Sequence, residues 1–238
     1  MPTVMVAPPS AYDLLTRGRV AVKGRMPWAS NATFLVELDL DGASALAVYK
    51  PQRGERPLGD FPPGLFRREI AAYRLSEALG WGLVPLTVPR EGPFGEGSLQ
   101  RFVEADFEQH YFTLHGDPVH HDALRRICLF DLLANNTDRK SGHCLLGADG
   151  RIYAVDNGLT FHRDPKLRTV IWEFGGETIP ASLLDPVHRL VETGLPPSLA
   201  ELLVPDERHA LLARARAILA HGCYPVDTPG HRYPWPLV

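Results

Sequence analysis

Hydrophobic and polar positions alternate in two runs near the start of the chain, at 32–40 and 43–50. Period-two alternation is typical of strands that bury one face. Asp41 and Gly42 lie between the runs, and this dipeptide favours the tight turn of a β-hairpin. The pattern therefore predicts a hairpin that ends at Lys50.

A helical pattern follows the hairpin. Residues 51–64 are rich in proline and glycine, and apolar positions then recur at roughly helical spacing from 65 to 79 and stop at Gly80. Glu69 lies on this predicted helix.

Two further strand-like runs, 83–88 and 98–104, flank the glycine-rich segment 92–97. A phosphate-binding loop would precede a helix and end in Gly-Lys-Ser or Gly-Lys-Thr, and this segment does neither. The sequence therefore favours a hairpin turn at 92–97. Hairpin, helix and two strands together predict a small sheet with one helix.

The second half of the chain has a mostly helical pattern. Helices are predicted at 122–133, 185–192 and 206–220, with two short strands on either side of Asp149 and Gly150. We place a boundary near 104–106, which gives an N-terminal region, 1–104, and a C-terminal region, 105–238. The proline-rich end of the C-terminal region, 224–238, is expected to run extended along the surface, held by Tyr233 and Trp235.

Composition narrows the classes of function. The 238 residues are 45% hydrophobic with a formal net charge of -3, which indicates a globular protein and argues against nucleic acid as the main partner. The three cysteines form no CxxC pair and are expected to be reduced thiols. No transmembrane segment or signal peptide is expected, so the predicted location is cytoplasmic.

Two aspartates carry the candidate chemistry. Asp138 follows an apolar helical run and lies in a polar loop, whereas Asp156 ends a short strand and precedes an Asn-Gly turn pair. Phosphoryl transfer from ATP needs Mg²⁺ to neutralise charge and a group that orients the nucleophile. Asp156 suits the metal ion and Asp138 suits the nucleophile. Arg139 and Lys140 are candidates for contact with the substrate or the γ-phosphate, and solvated loop residues are the alternative.

Four blocks in this order resemble the atypical kinases related to phosphatidylinositol 3- and 4-kinases, most closely the type II phosphatidylinositol 4-kinases. The blocks are VYKPQRGERPLG (48–59), FRREIAAYRL (66–75), GSLQRFVEAD (97–106), and NNTDRKSGH (135–143) with AVDNGLTF (154–161). The chain also looks similar to short actinobacterial phosphatidylinositol-kinase-like proteins. The resemblance implies an α+β, two-lobed protein-kinase-like fold with a small sheet-plus-helix N-lobe and a mainly helical C-lobe.

The resemblance also implies roles for individual residues. Lys50 would hold the α- and β-phosphates of ATP, and Glu69 would pair with Lys50. Backbone groups around Phe102 and Val103 would meet the adenine. The turn that covers the phosphates would include Ser30 and Asn31.

Two departures from the family pattern keep alternatives open. His143 stands where kinase-like enzymes place an asparagine as the second metal ligand, and Ser30 and Asn31 lie in a turn without a glycine-rich motif. We therefore expect Asp156 and His143 to hold Mg²⁺, and keep a pseudokinase or scaffolding module as an alternative. Transfer of AMP instead of phosphate is a further alternative. The acceptor hydroxyl belongs to a protein, a lipid or a small molecule.

Two other groups of residues invite a functional interpretation. Four histidines fall within twelve positions, but their spacing gives no paired metal ligands, so surface histidines are favoured: His110, His115, His120 and His121. A run of basic residues follows Asp156 and has two interpretations, a site that attracts a phosphate-bearing or acidic substrate or a set of solvated surface charges. These residues are His162, Arg163, Lys166 and Arg168.

Overall fold

The computed structural model describes residues 8–27, 31–228, 230 and 232–237. Packing divides them into two compact units. Unit 1 comprises the described residues up to Arg67 together with Leu86–Phe102. Unit 2 comprises Arg68–Pro85 and the described residues from Val103 onward. Across these described ranges, no helix has both the length and the apolar character needed to cross a membrane.

Unit 1 is built on a five-stranded antiparallel sheet with the strand order β1-β2-β3-β5-β4. The strands are β1 (Arg19–Arg25), β2 (Phe34–Leu40), β3 (Ala43–Pro51), β4 (Thr87–Gly92) and β5 (Gly95–Arg101). A short helix, α1 (Ala11–Arg17), is capped at its N-terminus by Ser10 and buries Leu14 and Leu15 in the same core as the sheet. The sequence patterns did not predict α1 or β1.

Both predicted hairpins of unit 1 are confirmed. Asp41 and Gly42 have φ of 50° and 81°, the left-handed values that a tight hairpin turn requires at both central positions. Segment 92–97 joins β4 to β5, with Gly92 paired to Gly95. At Gly97, a Cβ atom would lie 2.4 Å from the carbonyl oxygen of Lys50, so only glycine lets β5 pass this close to β3.

Helix α2 (Leu65–Ala78) begins in unit 1 and continues in unit 2. The Glu55 carboxylate accepts hydrogen bonds from the backbone N–H groups of Gly64 and Phe66 at the start of the helix, both at 2.8 Å. Further along, the apolar face of α2 enters the core of unit 2 through Ala72 and Leu75. The units are therefore interleaved in sequence, whereas the sequence patterns suggested one boundary near 104–106.

Besides most of α2 and two 3-10 turns, the described residues of unit 2 form five further α-helices and a two-stranded antiparallel sheet. They are α3 (Tyr111–His115), α4 (His121–Ala134), α5 (Ala181–Thr193), α6 (Pro197–Ala200) and α7 (Pro205–His221), with β6 (Cys144–Leu146) and β7 (Ile152–Ala154). The helices predicted at 122–133, 185–192 and 206–220 correspond to α4, α5 and α7.

The strand predicted at 83–88 is corrected, because β4 begins only at Thr87. Leu83 and Val84 are buried as expected of a strand. However, their backbone N–H groups donate to the side-chain oxygen of Ser76 at 2.8 and 3.3 Å instead of to a neighbouring strand. The strand predicted at 98–104 is shifted by three residues towards the N-terminus, since β5 covers Gly95–Arg101.

The described residues after α7 form no helix or regular strand, as predicted for the tail. Tyr224 is buried, whereas Trp235 is 87% exposed, so Trp235 does not hold the tail in place. Backbone hydrogen bonds hold it instead. The carbonyl oxygen of Arg232 accepts from Thr169 N at 3.0 Å, and that of Leu237 accepts from Ser141 N at 2.8 Å.

Candidate active site

The loop that carries Asp138 is held by polar contacts with the end of α4. Asn135 adopts a left-handed conformation and ends the helix. The next residue, Asn136, donates from its side-chain amide to Asp131 Oδ1 at 3.1 Å and accepts from Asp138 N at 2.9 Å. The backbone position of Asp138 is therefore fixed by a side chain that is itself bound to the helix.

Arg139 is completely buried. Its guanidinium donates to both carboxylate oxygens of Asp131, with a shortest distance of 2.9 Å. Burial alone lowers the pKa of a guanidinium, yet the Asp131 carboxylate holds the pKa of Arg139 above its usual value. Burial also raises the pKa of Asp131, and the Arg139 guanidinium opposes that rise, so each charged group of the pair stabilises the other. A side chain with no exposed surface does not contact a substrate directly.

The same guanidinium holds the residues on either side of Asp156. It donates to the carbonyl oxygen of Val155 at 2.6 Å and to Asn157 Oδ1 at 2.7 Å. Asp156 lies between these two acceptors, with a left-handed φ of 56° and a side chain that is 54% exposed. Arg139 thus ties the helix that precedes Asp138 to the turn that presents Asp156.

Glu69 supports the same turn from α2. Its carboxylate is buried and accepts a hydrogen bond from Asn157 N at 3.0 Å. The adjacent Arg68 is also buried and donates to the carbonyl oxygen of Thr160 and to the carboxylate of Glu207 on α7. Helix α2 is therefore attached to the segment that carries Asp156. The predicted pairing of Glu69 with Lys50, a residue of unit 1, stays a prediction.

The two candidate aspartates influence each other electrostatically. Partial burial raises the pKa of Asp138, and the negative charge of Asp156 raises it further. The Lys140 ammonium, 3.4 Å from Asp138 Oδ2, opposes this rise. Lys140 thus stabilises the ionised carboxylate of Asp138.

His143 lies against Asp156, with 3.4 Å between its Nε2 and Asp156 Oδ2. Its other ring nitrogen, Nδ1, accepts a hydrogen bond from Lys140 N at 3.3 Å. An accepting Nδ1 places the proton of the neutral ring on Nε2. This arrangement favours a ring that faces Asp156 with an N–H group, whereas a metal ligand needs a bare nitrogen there.

The donor set suits Mg²⁺ at Asp156 better than at His143. Mg²⁺ prefers carboxylate oxygens and is bound through one or two carboxylates together with waters and substrate phosphates. Imidazole is a ligand of softer metals. Within the described ranges, no three or more His, Cys, Asp or Glu side chains are grouped so that they could hold a metal ion. A Mg²⁺ ion at Asp156 would need further oxygen ligands, such as waters or the phosphates of a nucleotide.

Three other predicted site residues, Lys50, Asn31 and Phe102, belong to unit 1. Lys50 is half-buried near the end of β3, opposite Ser98 of β5. Asn31 accepts from Arg56 N at 2.9 Å through its side-chain oxygen, so its turn is attached to the connection after β3. Ser30 lies outside the described residues. The division between units falls between Phe102 and Val103.

Sequence reasoning missed three residues of this site: Asp131, Asn136 and Asn157. All three are buried and polar. A charged residue inside the apolar run of α4 was the one available signal, because buried charges are rare unless they are paired. Arg139 is separated along the chain by eight residues from Asp131 and by eighteen from Asn157. Local sequence patterns therefore do not show that these side chains meet.

Several of the remaining candidate residues make contacts within the protein. Cys128, Cys144 and Cys223 are free cysteines, and burial raises the pKa of Cys144 to about 12, which keeps it a thiol. The rings of His115 and His121 stack with centroids 4.8 Å apart. Arg163 lies on the surface beside Asp206, at 3.3 Å.

The chain is similar over almost its whole length to Protein Rv2133c of Mycobacterium tuberculosis (strain ATCC 25618 / H37Rv). The two are 41% identical over 263 aligned positions, which cover 94% of each chain. This chain belongs to the family of Rv2133c. No protein-family model matches the chain.

Two solved structures show the fold of this family member. The crystal structure of CtkA, a proinflammatory kinase of Helicobacter pylori, aligns with a TM-score of 0.51 at 11% identity over 88% of this chain and 94% of that chain. The structure of hydra Fam20 with sugar aligns with a TM-score of 0.53 at 15% identity over 87% and 86% of the two chains. At this identity the likeness concerns the fold alone. The fold is kinase-like, as the sequence predicted.

Proposed function

We propose that this protein is an ATP-dependent phosphotransferase that transfers the γ-phosphoryl group to an acceptor hydroxyl. The observation that carries the proposal is the bridge made by Arg139, which joins Asp131 before the Asp138 loop to the residues on both sides of Asp156. A buried guanidinium that donates from all three of its nitrogens joins the segments that carry two partly exposed carboxylates. Such preorganised charge is what phosphoryl transfer requires.

Each candidate site residue of unit 2 has a distinct role in this proposal. Asp138 orients the incoming hydroxyl and accepts its proton, and Lys140 keeps Asp138 ionised. Asp156 holds Mg²⁺, which when bound neutralises charge on the phosphates of ATP. Arg139 and Asn136 are positioning residues, because they contact the two aspartates or their neighbours.

Nucleotide contacts outside the two aspartates rest on the family resemblance. We propose that Lys50 contacts the α- and β-phosphates, that Asn31 and Ser30 belong to the turn over the phosphates, and that Phe102 and Val103 lie near the adenine. The finer likeness to the type II phosphatidylinositol 4-kinases is part of the same proposal. It makes a phosphoinositide one candidate acceptor, beside protein hydroxyls and small soluble alcohols.

The decisive experiment follows ³²P from γ-labelled ATP into acceptors, with and without Mg²⁺. The acceptor panel contains the protein itself, a generic protein substrate, phosphatidylinositol vesicles and small alcohols. Asp156→Asn is the informative variant because asparagine tolerates the left-handed backbone that Asp156 adopts, whereas alanine adds strain there. Asp185→Asn, at an exposed position on α5, is the matched control.

We expect Asp156→Asn to remove transfer and Asp185→Asn to leave it unchanged, with identical circular dichroism spectra for both. Asp138→Asn is expected to lower transfer while ATP binding, measured by calorimetric titration, is kept. Full activity of a correctly folded Asp156→Asn variant would show that the proposed site is wrong.

A pseudokinase that binds nucleotide without transfer is the second candidate. The position of His143 favours it, because this imidazole lies 3.4 Å from Asp156 Oδ2, on the carboxylate that would hold Mg²⁺. His143→Asn separates the two candidates. A large gain in transfer by this variant would indicate a degraded site, whereas unchanged transfer would indicate that the native site is competent. Parallel reactions with α-labelled ATP test the transfer of AMP.

A further inference from the structure

A small cavity of about 160 Å³ lies in unit 2, where the loop after α2, the start of α4 and the start of β7 meet. Its polar lining comes from Trp81, His120, Arg126 and Arg151. None of these residues belongs to the candidate active site. The volume is about ten times the space that a single water needs.

Two donors beside the cavity are buried and have no acceptor among the residues that the structure describes. They are Nε1 of Trp81 and Nε of Arg126. Trp81 is only 7% exposed. Since buried polar groups in proteins are nearly always hydrogen-bonded, two unpaired donors at one cavity indicate a bound acceptor.

The lining favours an anion over a neutral ligand or a cation. Indole and guanidinium groups donate hydrogen bonds and accept none. The lining contains two arginines and no aspartate or glutamate. Nearby acids are engaged elsewhere: Asp149 accepts from Arg151 N and from the Tyr153 hydroxyl, and Asp122 lies 3.6 Å from Arg125.

The donors are held in place by the loop after α2. Trp81 N donates to Ser76 O at 3.0 Å, next to the turn at Gly80. Arg151 Nη2 donates to the carbonyl oxygen of Gly82 at 2.9 Å, and a Cβ atom at Gly82 would lie 2.6 Å from the same nitrogen. Glycine at 82 thus makes room for the Arg151 guanidinium at the edge of the cavity.

We propose that this cavity is a binding site for a phosphate group. Guanidinium groups match tetrahedral oxyanions in both charge and geometry, and the first turn of α4 adds the positive end of a helix dipole through His120 and Ala123. The site is also connected to β7, since Ala154 N donates to Leu83 O at 2.9 Å. Phosphate bound here stabilises the contact between the loop after α2 and the strand that precedes Asp156.

Nuclear magnetic resonance of the tryptophan indole N–H groups tests the site on the intact protein. The Trp81 resonance is assigned by its loss in Trp81→Phe. Inorganic phosphate and O-phosphoserine are titrated separately in the absence of ATP, at constant ionic strength. Arg126→Gln and Arg151→Gln remove one guanidinium each, and Arg189→Gln, at an exposed position on α5, is the control.

We expect the Trp81 resonance to shift and saturate with at least one probe, while the other indole resonances stay in place. Each lining arginine variant should weaken the apparent affinity roughly tenfold or more, and the control should not. Tighter binding of inorganic phosphate identifies a free ion as the ligand, and tighter binding of phosphoserine identifies a phosphorylated protein. If Arg126→Gln does not fold, the exposed Arg151 still provides the test.

A Trp81 resonance that neither probe moves would show that water alone pairs with these donors, and it would overturn the proposal. A shift that persists unchanged in Arg151→Gln and Arg126→Gln would do the same. Neither result bears on phosphoryl transfer, because no ATP is present and none of the altered residues is part of the proposed active site.

Discussion

Replacing Arg139 by methionine removes the guanidinium that joins the two halves of the candidate site and keeps an unbranched apolar side chain. The Asp131 carboxylate has no exposed surface, so the variant leaves a negative charge inside the protein without its cation. The acceptors Val155 O and Asn157 Oδ1 also lose their donor. We expect lower stability of unit 2 and loss of the fixed Asp156 turn.

The magnitude follows from the burial of the pair. Removing one partner of a buried ion pair costs about 3–5 kcal/mol, because the remaining charge stays desolvated. That is a large part of the roughly 5–15 kcal/mol by which proteins of this kind are stable. Asp131→Asn should cost a similar amount. The double variant should cost much less than the sum of the two, because neither charge is then left alone.

Urea unfolding followed by tryptophan fluorescence measures the effect, because three of the four tryptophans, Trp81, Trp172 and Trp235, lie in unit 2. A loss of this size should lower the midpoint by roughly 1–3 M urea. Arg189→Met, on the exposed face of α5, should stay within about 0.5 kcal/mol of the native protein. If Arg139→Met is no less stable than this control, or if the two single effects simply add, the ion pair does not hold the site together.

Three further predictions address other parts of unit 2. Lys140→Met should move the acidic limb of the kcat/KM profile to higher pH, because the raised pKa of Asp138 loses the cation that opposes the rise; Lys23→Met is the control, and an unmoved limb would exclude Asp138 as the titrating group. Glu207→Gln should destabilise the protein by about 3 kcal/mol or more in the same urea assay, since Arg68 is then buried without its carboxylate, whereas Glu201→Gln on the surface should have little effect. Deleting residues 235–238 should lower turnover because Ser141 N, in the Asp138 loop, loses its acceptor Leu237 O; Trp235→Ala should keep full turnover, and equal activity of the deletion variant would contradict this role of the tail.

Local sequence patterns were sufficient to predict the elements that form through interactions between residues close in sequence. The Asp-Gly hairpin was predictable because its turn needs two left-handed residues in succession, and α2 because its apolar positions recur at helical spacing. Helix α1 was missed although Ser10 and Asp13 form a capping box, since seven residues give too short a period. The run at 83–88 was taken for a full strand because a side-chain acceptor, Ser76, replaces the neighbouring strand for Leu83 and Val84.

Some residues of the candidate site were likewise predictable from local sequence, and others were not. Asp138 and Asp156 were identified from sequence because Asp138 lies in the loop after a predicted helix, Asp156 lies at the end of a predicted strand, and loops and strand ends expose such groups. Arg139 was placed in the site, but its burial was not foreseen. Its neighbours in sequence are polar and are typical of an exposed loop. The carboxylate that pairs with the buried guanidinium belongs to Asp131 on the preceding helix.

The sequence by itself determined the helices and strands with a clear period, the positions of the two candidate catalytic aspartates and the kinase-like class of the fold. Only the tertiary structure decided that Arg139 supports the site from inside, that Glu69 bonds to Asn157 N, and that His143 faces Asp156. It also decided that four donors from distant segments line one cavity. The physical reason is that periodicity and turn preference act between neighbours along the chain, whereas pairing of a buried charge or donor depends on which segments folding brings into contact.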